Sequence, residues 1–483
     1  MRFTLRIFLL VSLLTLLAGC TKQATPPPAV MATLPSAQPL ASTEATATTE
    51  APAANLSESD LFPLAQEFIT QLANGEYEAA TARFDAAMLN AAPAPKLQQI
   101  WEQLLGQVGA YQEQLDAEAE QVDEYTRFNV TTQFEKARIV IQVVFNGQGQ
   151  ISGLFFKPAE GSEAAPAAYT APDYVDSQKF TETDVTVGSG EWALPGTLSM
   201  PVGEGLFPAV VLVHGSGPND RDETIGPNLP FRDLAWGLAS QGIAVLRYDK
   251  RTKARASQFT PDVISKLTVQ EETIDDALLA AQLLRQTDKI DPQRIYVLGH
   301  SLGGMLAPRI GQQDPALAGL VMMAAPNRPL GDLALDQFNY IFNLDGKLDS
   351  QETAQLQALQ TQAANAKNPE LPDNTPAEEL PLGMSVAYMR DLNGYVPAET
   401  AKSLAMPLLV LQGGRDYQVS PTLDFESLKT ALAGKTEAVF KLYPELNHLF
   451  IPGEGLSTPE EYQNEGHVSP QVIADIAAWI KEH

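Results

Sequence analysis

Ser301 stands where a nucleophile could be built. It is the centre of Gly299-His300-Ser301-Leu302-Gly303-Gly304. The apolar run Arg294-Ile295-Tyr296-Val297-Leu298 leads into this stretch, and residues 302–312 after it read as a helix. A strand, a sharp turn on Gly-x-Ser-x-Gly and then a helix lift a serine hydroxyl onto a strained, accessible turn. The residues two places either side of the serine crowd strand against helix, so Gly299 and Gly303 are expected to be there because they have no Cβ. The helix that follows aims its first N–H groups at the site, which suits negative charge developing there. A tight turn with a capping serine is the plainer alternative. It leaves unexplained the partners that follow in order along the chain.

A serine nucleophile needs a base, and the chain has five histidines: His214, His300, His448, His467 and His483. His214 belongs to a glycine-rich turn and is read as shaping that loop. His300 is inside the elbow, and its side chain is expected to point away. His483 is terminal. His448, in Asn447-His448-Leu449-Phe450, follows the last strand, where the base of a Ser–acid–His order belongs; His467 is the second choice. The orienting carboxylate is assigned to Asp416. It follows a strand at 406–412 through Gly413-Gly414-Arg415, glycines expected to turn the chain sharply. The separation of 448 − 416 = 32 residues suits one helix plus one strand. Asp391 and Asp424 are less well placed. For the oxyanion, one donor is expected to be the N–H of Leu302. The other should come from His214-Gly215-Ser216-Gly217, with Ser216 first and Gly217 next. The neighbouring run Asn219-Asp220-Arg221-Asp222-Glu223 is expected to brace that loop through internal Arg–carboxylate pairs. As a metal site it lacks nearby histidine or cysteine ligands, and no cofactor is required.

The elements that must carry these residues alternate strand and helix from residue 173 to 483. A hairpin is expected at 183–187 and 194–200, with strands at 208–213, 243–248, 294–298, 317–324, 406–412 and 437–443. Helices are expected at 231–241, 269–284 and 470–481. The strand Pro208-Ala209-Val210-Val211-Leu212-Val213 is apolar throughout, as a strand buried on both faces should be. Residues 327–405 form a helical insertion positioned as a lid. In it Met384, Tyr388 and Met389 either line the acyl pocket or form the lid's own core. The fold class expected is therefore α/β, a mostly parallel sheet with a helical lid, preceded by a small α+β domain.

That smaller domain spans 60–158. Helical periodicity over 61–72, 76–90 and 96–105 gives way to period-two alternation through Phe128, Val130, Thr132 and Phe134 and through Ile139, Ile141, Val143 and Phe145. Asn146-Gly147 marks a hairpin turn before a strand at 151–156. Trp101 is expected in its core. Residues 159–172 form a linker. An Ala/Thr/Pro-rich stretch at 21–59 reads as a disordered tether.

The N-terminus begins with Arg2 and Arg6, continues with an apolar run at 7–17 and ends in Leu17-Ala18-Gly19-Cys20. This resembles the lipobox of bacterial lipoproteins. The resemblance implies cleavage before Cys20, acylation of its thiol and an exported protein lipid-anchored on the extracytoplasmic side. Cys20 is the one cysteine, so an intramolecular disulfide and a cysteine-rich metal site are excluded. Lys+Arg number 32 against 59 Asp+Glu, a net charge of −27, which argues against nucleic-acid partners. The small domain, through Asn74-Gly75-Glu76-Tyr77, Phe84, Met88, Leu97, Trp101 and Gly109, resembles a bacterial domain of unknown function related to the nuclear-transport-factor-two-like cone.

From about 175 to 480 four motifs resemble α/β hydrolases of the dienelactone-hydrolase-related and serine-aminopeptidase-like group. They are His214-Gly215-Ser216-Gly217-Pro218 with Asp220-Arg221-Asp222-Glu223, the elbow, Gly413 to Asp416 with Val419, and Asn447-His448-Leu449-Phe450. The resemblance implies a carboxylesterase acting on short or medium acyl esters. A peptidase or acyl transferase on the same residues stays open, as does a surface-binding lipoprotein with a vestigial hydrolase fold.

Overall fold

The computed structural model describes residues 57–122, 125–159 and 169–483. The expected signal peptide with Cys20 and nearly all of the stretch read as a tether lie outside the described residues, as does most of the expected 159–172 linker. The chain divides into two compact units, with the boundary between Tyr169 and Thr170.

In the first unit, helices α1 (Glu58–Asn74), α2 (Tyr77–Thr81), α3 (Ala86–Ala91) and α4 (Ala94–Val108) precede an antiparallel sheet. Its strands are β1 (Tyr111–Val122), β2 (Tyr125–Phe134), β3 (Arg138–Phe145) and β4 (Ile151–Pro158), in sheet order β1-β2-β3-β4. The helices bury Leu61, Phe68, Ile69, Leu97 and Trp101 against the inward residues of β2 and β3. The Trp101 and Phe134 rings meet at 5.7 Å. Two expectations need correction. The helix foreseen at 76–90 is broken: Phe84 bridges to Ile151 of β4, and Asp85 caps a new start at α3 through the N–H of Met88. Strand β1 was not foreseen, because its Gln-, Glu- and Ala-rich sequence has helical propensity; pairing with β2 along its length overrides that.

The second unit is built on an eight-stranded sheet. Its strands are β5 (Phe180–Val187), β6 (Leu194–Pro201), β7 (Phe207–Val213), β8 (Ala244–Tyr248), β9 (Ile290–His300), β10 (Gly319–Met323), β11 (Leu408–Gly413) and β12 (Ala438–Tyr443). The order is β12-β11-β10-β9-β7-β8-β6-β5; β5, β6 and β8 pair antiparallel, and the other neighbours are parallel. This is the mostly parallel α/β sheet expected from the alternating pattern. Two apolar layers sandwich the sheet. One face packs helices α5 (Pro230–Ala239) and α13 (Pro470–Glu482). The other packs α6 (Asp275–Arg285) and α7 (Leu302–Gln313). The helix foreseen at 269–284 opens with a π-turn over Gln270–Ile274 before it becomes α6.

The insertion at 327–405 contributes α8 (Leu330–Phe342), α9 (Ser350–Ala366), α10 (Val386–Asn393) and α11 (Pro397–Ser403). Helix α12 (Glu426–Ala431) lies between β11 and β12. Helix α10 starts only at Val386, where Ser385 caps it; the residues before it form 3-10 turns around Pro381.

Candidate active site

The chain leaves each parallel strand at the same sheet edge. Beyond its last residue β7 leads to Gly215, β9 to Ser301, β11 to Asp416 and β12 to the loop holding His448. That edge is where open α/β sheets bind ligands.

The elbow is strained and tightly packed. Ser301 has φ 52° and ψ −117°, a conformation that L-residues rarely adopt. Close packing holds it there. A Cβ on Gly299 would lie 2.1 Å from the carbonyl oxygen of Gly303, and one on Gly303 would lie 2.2 Å from that of Val213. Both glycines are required by close approach of backbone to backbone. Leu302 is the first residue of α7, so its N–H has no partner within the helix. Among the described residues no acceptor meets the N–H of Leu302, Ser216 or Gly217. The N–H of Gly215, in contrast, is taken by the Glu223 carboxylate at 2.6 Å. A Cβ on Gly215 would come within 3.1 Å of the Ser301 Cβ, so this loop lies directly over the serine.

Asp416 and His448 are brought together. His448 Nδ1 lies 2.8 Å from Asp416 Oδ2, and both side chains are buried. Asp416 is held from every side. Its Oδ1 accepts the N–H groups of Gln418 and Val419 at 2.8 and 2.9 Å, and its Oδ2 also accepts Gln412 Nε2 at 2.9 Å. Gln412 was missed in the sequence because nothing about a glutamine at a strand end marks it. Gly413 and Gly414 are not turn glycines with positive φ. Their role is contact: a Cβ on Gly413 would lie 2.4 Å from the Asn447 carbonyl, and one on Gly414 2.6 Å from the Pro444 Cα. Small residues let the acid loop press against the histidine loop.

The remaining histidines sort by contact. His467 pairs with Asp233 at 3.1 Å, away from the Asp416–His448 pair. His214 is fully buried between the rings of Phe231 and Tyr248; burial first, then the Lys250 charge, push its pKa down to about 4. It is a neutral packing residue of the loop. His300 does not simply point away. Its ring packs on that of His448 at 4.7 Å, and its Nε2 lies 3.0 Å from the His448 carbonyl. Its Nδ1 lies 2.9 Å from Glu223 Oε2 with the N–H off the line of centres, so this contact is ionic more than directional.

The charged run beside the 214–217 loop is anchored to its neighbours and not, as expected, to itself. Arg221 makes a two-pronged pair with Asp249 at 3.0 and 3.1 Å. Asp222 takes Arg232 and the buried Arg247. Asp220 caps its own turn through the N–H groups of Asp222 and Thr224.

A cavity of ≈ 150 Å³ begins at Ser216 and Gly217 and runs between core and lid. Its walls are mainly apolar, among them Phe259, Ile264, Leu382 and Met384. Tyr388 and Glu272 also line it, the tyrosine donating to the carboxylate at 2.5 Å. Glu272 is paired on its other oxygen with Lys250, whose Nζ also donates to the Gly215 carbonyl at 3.0 Å. Met389 is instead buried with Leu371, Leu380 and Val386 in the lid's own core.

Residues 208–454 match the family model for serine aminopeptidase, S33. The chain belongs to this hydrolase family. It is also 40% identical to Esterase EstD of Thermotoga maritima, over 86% of this chain and 93% of that protein. Residues 65–154 match a protein family of unknown function, DUF3887. Among solved structures, a putative dienelactone hydrolase of Klebsiella pneumoniae aligns at 17% identity and TM-score 0.38, covering 63% of this chain and 99% of that one. The esterase PF2001 of Pyrococcus furiosus aligns at 16% and 0.40, covering 65% and 95%. Both likenesses are too remote to bear on function. Among the described residues no helix is long and apolar enough to cross a membrane.

Proposed function

We propose that this hydrolase is a carboxylesterase working through Ser301, His448 and Asp416. The observation that carries the reading is the buried Asp416–His448 pair at the sheet edge that also presents the strained Ser301. In the first step His448 takes the proton of Ser301 as its oxygen attacks the ester carbonyl. Asp416 accepts the Nδ1–H of His448, which leaves Nε2 free to act as the base. The N–H groups of Leu302 and Ser216 hold the oxyanion. The alkoxide leaves with the proton from His448. Water then attacks the acyl-enzyme, with the same histidine as base. The 40% identity to a protein named as an esterase supports the ester preference.

The cavity supports a substrate class. A void of this volume lined by aliphatic and aromatic carbons holds a benzene-sized group, so acyl groups of about six carbons fit. Its single carboxylate, Glu272, is already paired with Lys250 and Tyr388. A free carboxylate to take the ammonium of an aminoacyl amide is therefore missing from this wall, which favours neutral esters over aminopeptidase substrates. The test is a series of p-nitrophenyl esters from acetate to laurate beside aminoacyl p-nitroanilides. The reading expects kcat/KM to peak near butyrate to hexanoate and Ser301→Ala to fall to background. Wild-type-like turnover in that variant, or preference for the anilides, would refute it. The lipobox resemblance at Cys20 supports export and extracytoplasmic anchoring; metabolic labelling with a fatty acid, lost in Cys20→Ser, tests that part.

A further inference from the structure

The backbone of Gly215 is gripped on both sides by buried charged side chains. Glu223 holds its N–H and Lys250 its C=O. A loop that only had to turn would not need either. Glu223 leads on to His300, and His300 leads on to the backbone of His448. Three loops from three strands thus meet on one imidazole.

Proton counting at that imidazole is informative. The His448 carbonyl can only accept, so His300 Nε2 must carry hydrogen. On the other side Nδ1 faces a carboxylate whose second oxygen is occupied by the Gly215 N–H. A neutral ring with its hydrogen on Nε2 would set a lone pair against that carboxylate. We propose that His300 is a charged positioning residue, an imidazolium that bridges Glu223 to the carbonyl of His448 and so fixes the oxyanion loop and the histidine loop to the elbow. This rests on the proposed roles of Ser301, His448 and the Ser216 N–H. By engaging the Gly215 N–H, Glu223 removes it from the donors, which leaves the N–H groups of Ser216 and Gly217 to be offered to substrate.

The surroundings of the ring are consistent. Burial pushes the His300 pKa down, but the Glu223 carboxylate outweighs it, and the net direction is up; Asp416 adds in the same sense. Burial pushes Glu223 up, but the His300 charge outweighs it, and the net direction is down. The other titratable groups packed nearby are His214, held neutral, Lys250, already paired with Glu272, and His448 itself. The pair is therefore fully charged between the two shifted values and is lost as pH rises through that of His300. Loss of the bridge would loosen the histidine loop and give kcat an alkaline limb.

The test joins spectroscopy to kinetics. In protein labelled with 15N-histidine, one ring of the five should keep both nitrogens protonated to a pH above the ordinary histidine value, and His300→Gln should abolish that signal. Glu223→Gln keeps an oxygen for the Gly215 N–H but removes the charge. It should move the ring's titration to lower pH, with the alkaline limb of kcat moving in step. His300→Gln should lose the limb and lower kcat roughly 10- to 100-fold, the scale of a loop misplaced by about an ångström, with KM little changed. The absence of a doubly protonated ring, or kcat–pH profiles in both variants that superimpose on wild type, would overturn the proposal. A Ser301→Ala enzyme that still turns over esters would instead overturn the reading of the site, and the spectrum would be unaffected.

Discussion

Replacing Asp416 with asparagine changes no shape and tests the polarity of the site. Asp416 receives four donors: two backbone N–H groups on Oδ1, and the Gln412 amide and His448 ring on Oδ2. An asparagine has one oxygen. Turned to the fixed backbone N–H groups, that oxygen leaves its NH2 facing His448 Nδ1. Nδ1 must then accept, the ring proton moves to Nε2, and the nitrogen meant to take the proton from Ser301 is already occupied. Turned the other way, the NH2 meets two backbone donors that cannot move, at a cost of about 1–3 kcal/mol for each group left unpaired. The first orientation should win. The expected loss is about 10⁴-fold in kcat, roughly 5 kcal/mol of transition-state stabilisation at about 1.36 kcal/mol per tenfold. KM should change little, because the cavity proposed to take the acyl group does not include Asp416. Steady-state hydrolysis of p-nitrophenyl butyrate gives both constants, and a thermal melt checks that the fold survives. A variant within tenfold of wild-type kcat would show that Asp416 does not set the tautomer, and the argument from its four donors would fail.

Gly303→Ala places a methyl group 2.2 Å from the Val213 carbonyl and 2.7 Å from that of His214, both backbone atoms. It should destabilise by at least the about 1–3 kcal/mol typical of overpacking, seen as a lowered Tm or insoluble expression; an unchanged Tm would mean that the elbow is looser than described. His214 should make the protein acid-sensitive. Its pKa falls from 6.5 when unfolded to about 4 when buried, so its contribution is complete above the unfolded value and is lost as pH falls through the interval. Over the whole interval the loss amounts to about 3 kcal/mol. Melts at a series of pH values should show His214→Gln losing less stability than wild type between neutral pH and pH ~4; parallel curves would contradict the burial argument.

Much of the second unit was legible because its signals are local and redundant. Apolar strands such as 208–213, the elbow glycines, and the order of Ser301, Asp416 and His448 each point to one sheet edge. What escaped was non-local. Gln412 matters only because β11 ends beneath the Asp416 loop. Gly413 and Gly414 were read as turn formers, whereas their use depends on where the Asn447 backbone lies. His300 was discounted because a residue next to Ser301 was expected to point away; its contact with the His448 carbonyl arises because the loop after β12 comes back to the end of β9. In the first unit, β1 hid behind Glu, Gln and Ala, residues that favour helices until β2 offers a partner. The two candidate pocket methionines separated by a few residues' difference in position: Met384 faces the cavity and Met389 faces the lid core.

The central claim is that Ser301 is the nucleophile activated by His448. Treatment with a fluorophosphonate followed by peptide mapping tests it most directly. The account predicts one adduct, on the hydroxyl of Ser301, formed in step with loss of esterase activity and slowed by orders of magnitude in His448→Ala. Full activity with Ser301 unlabelled, or labelling that is indifferent to His448, would contradict it.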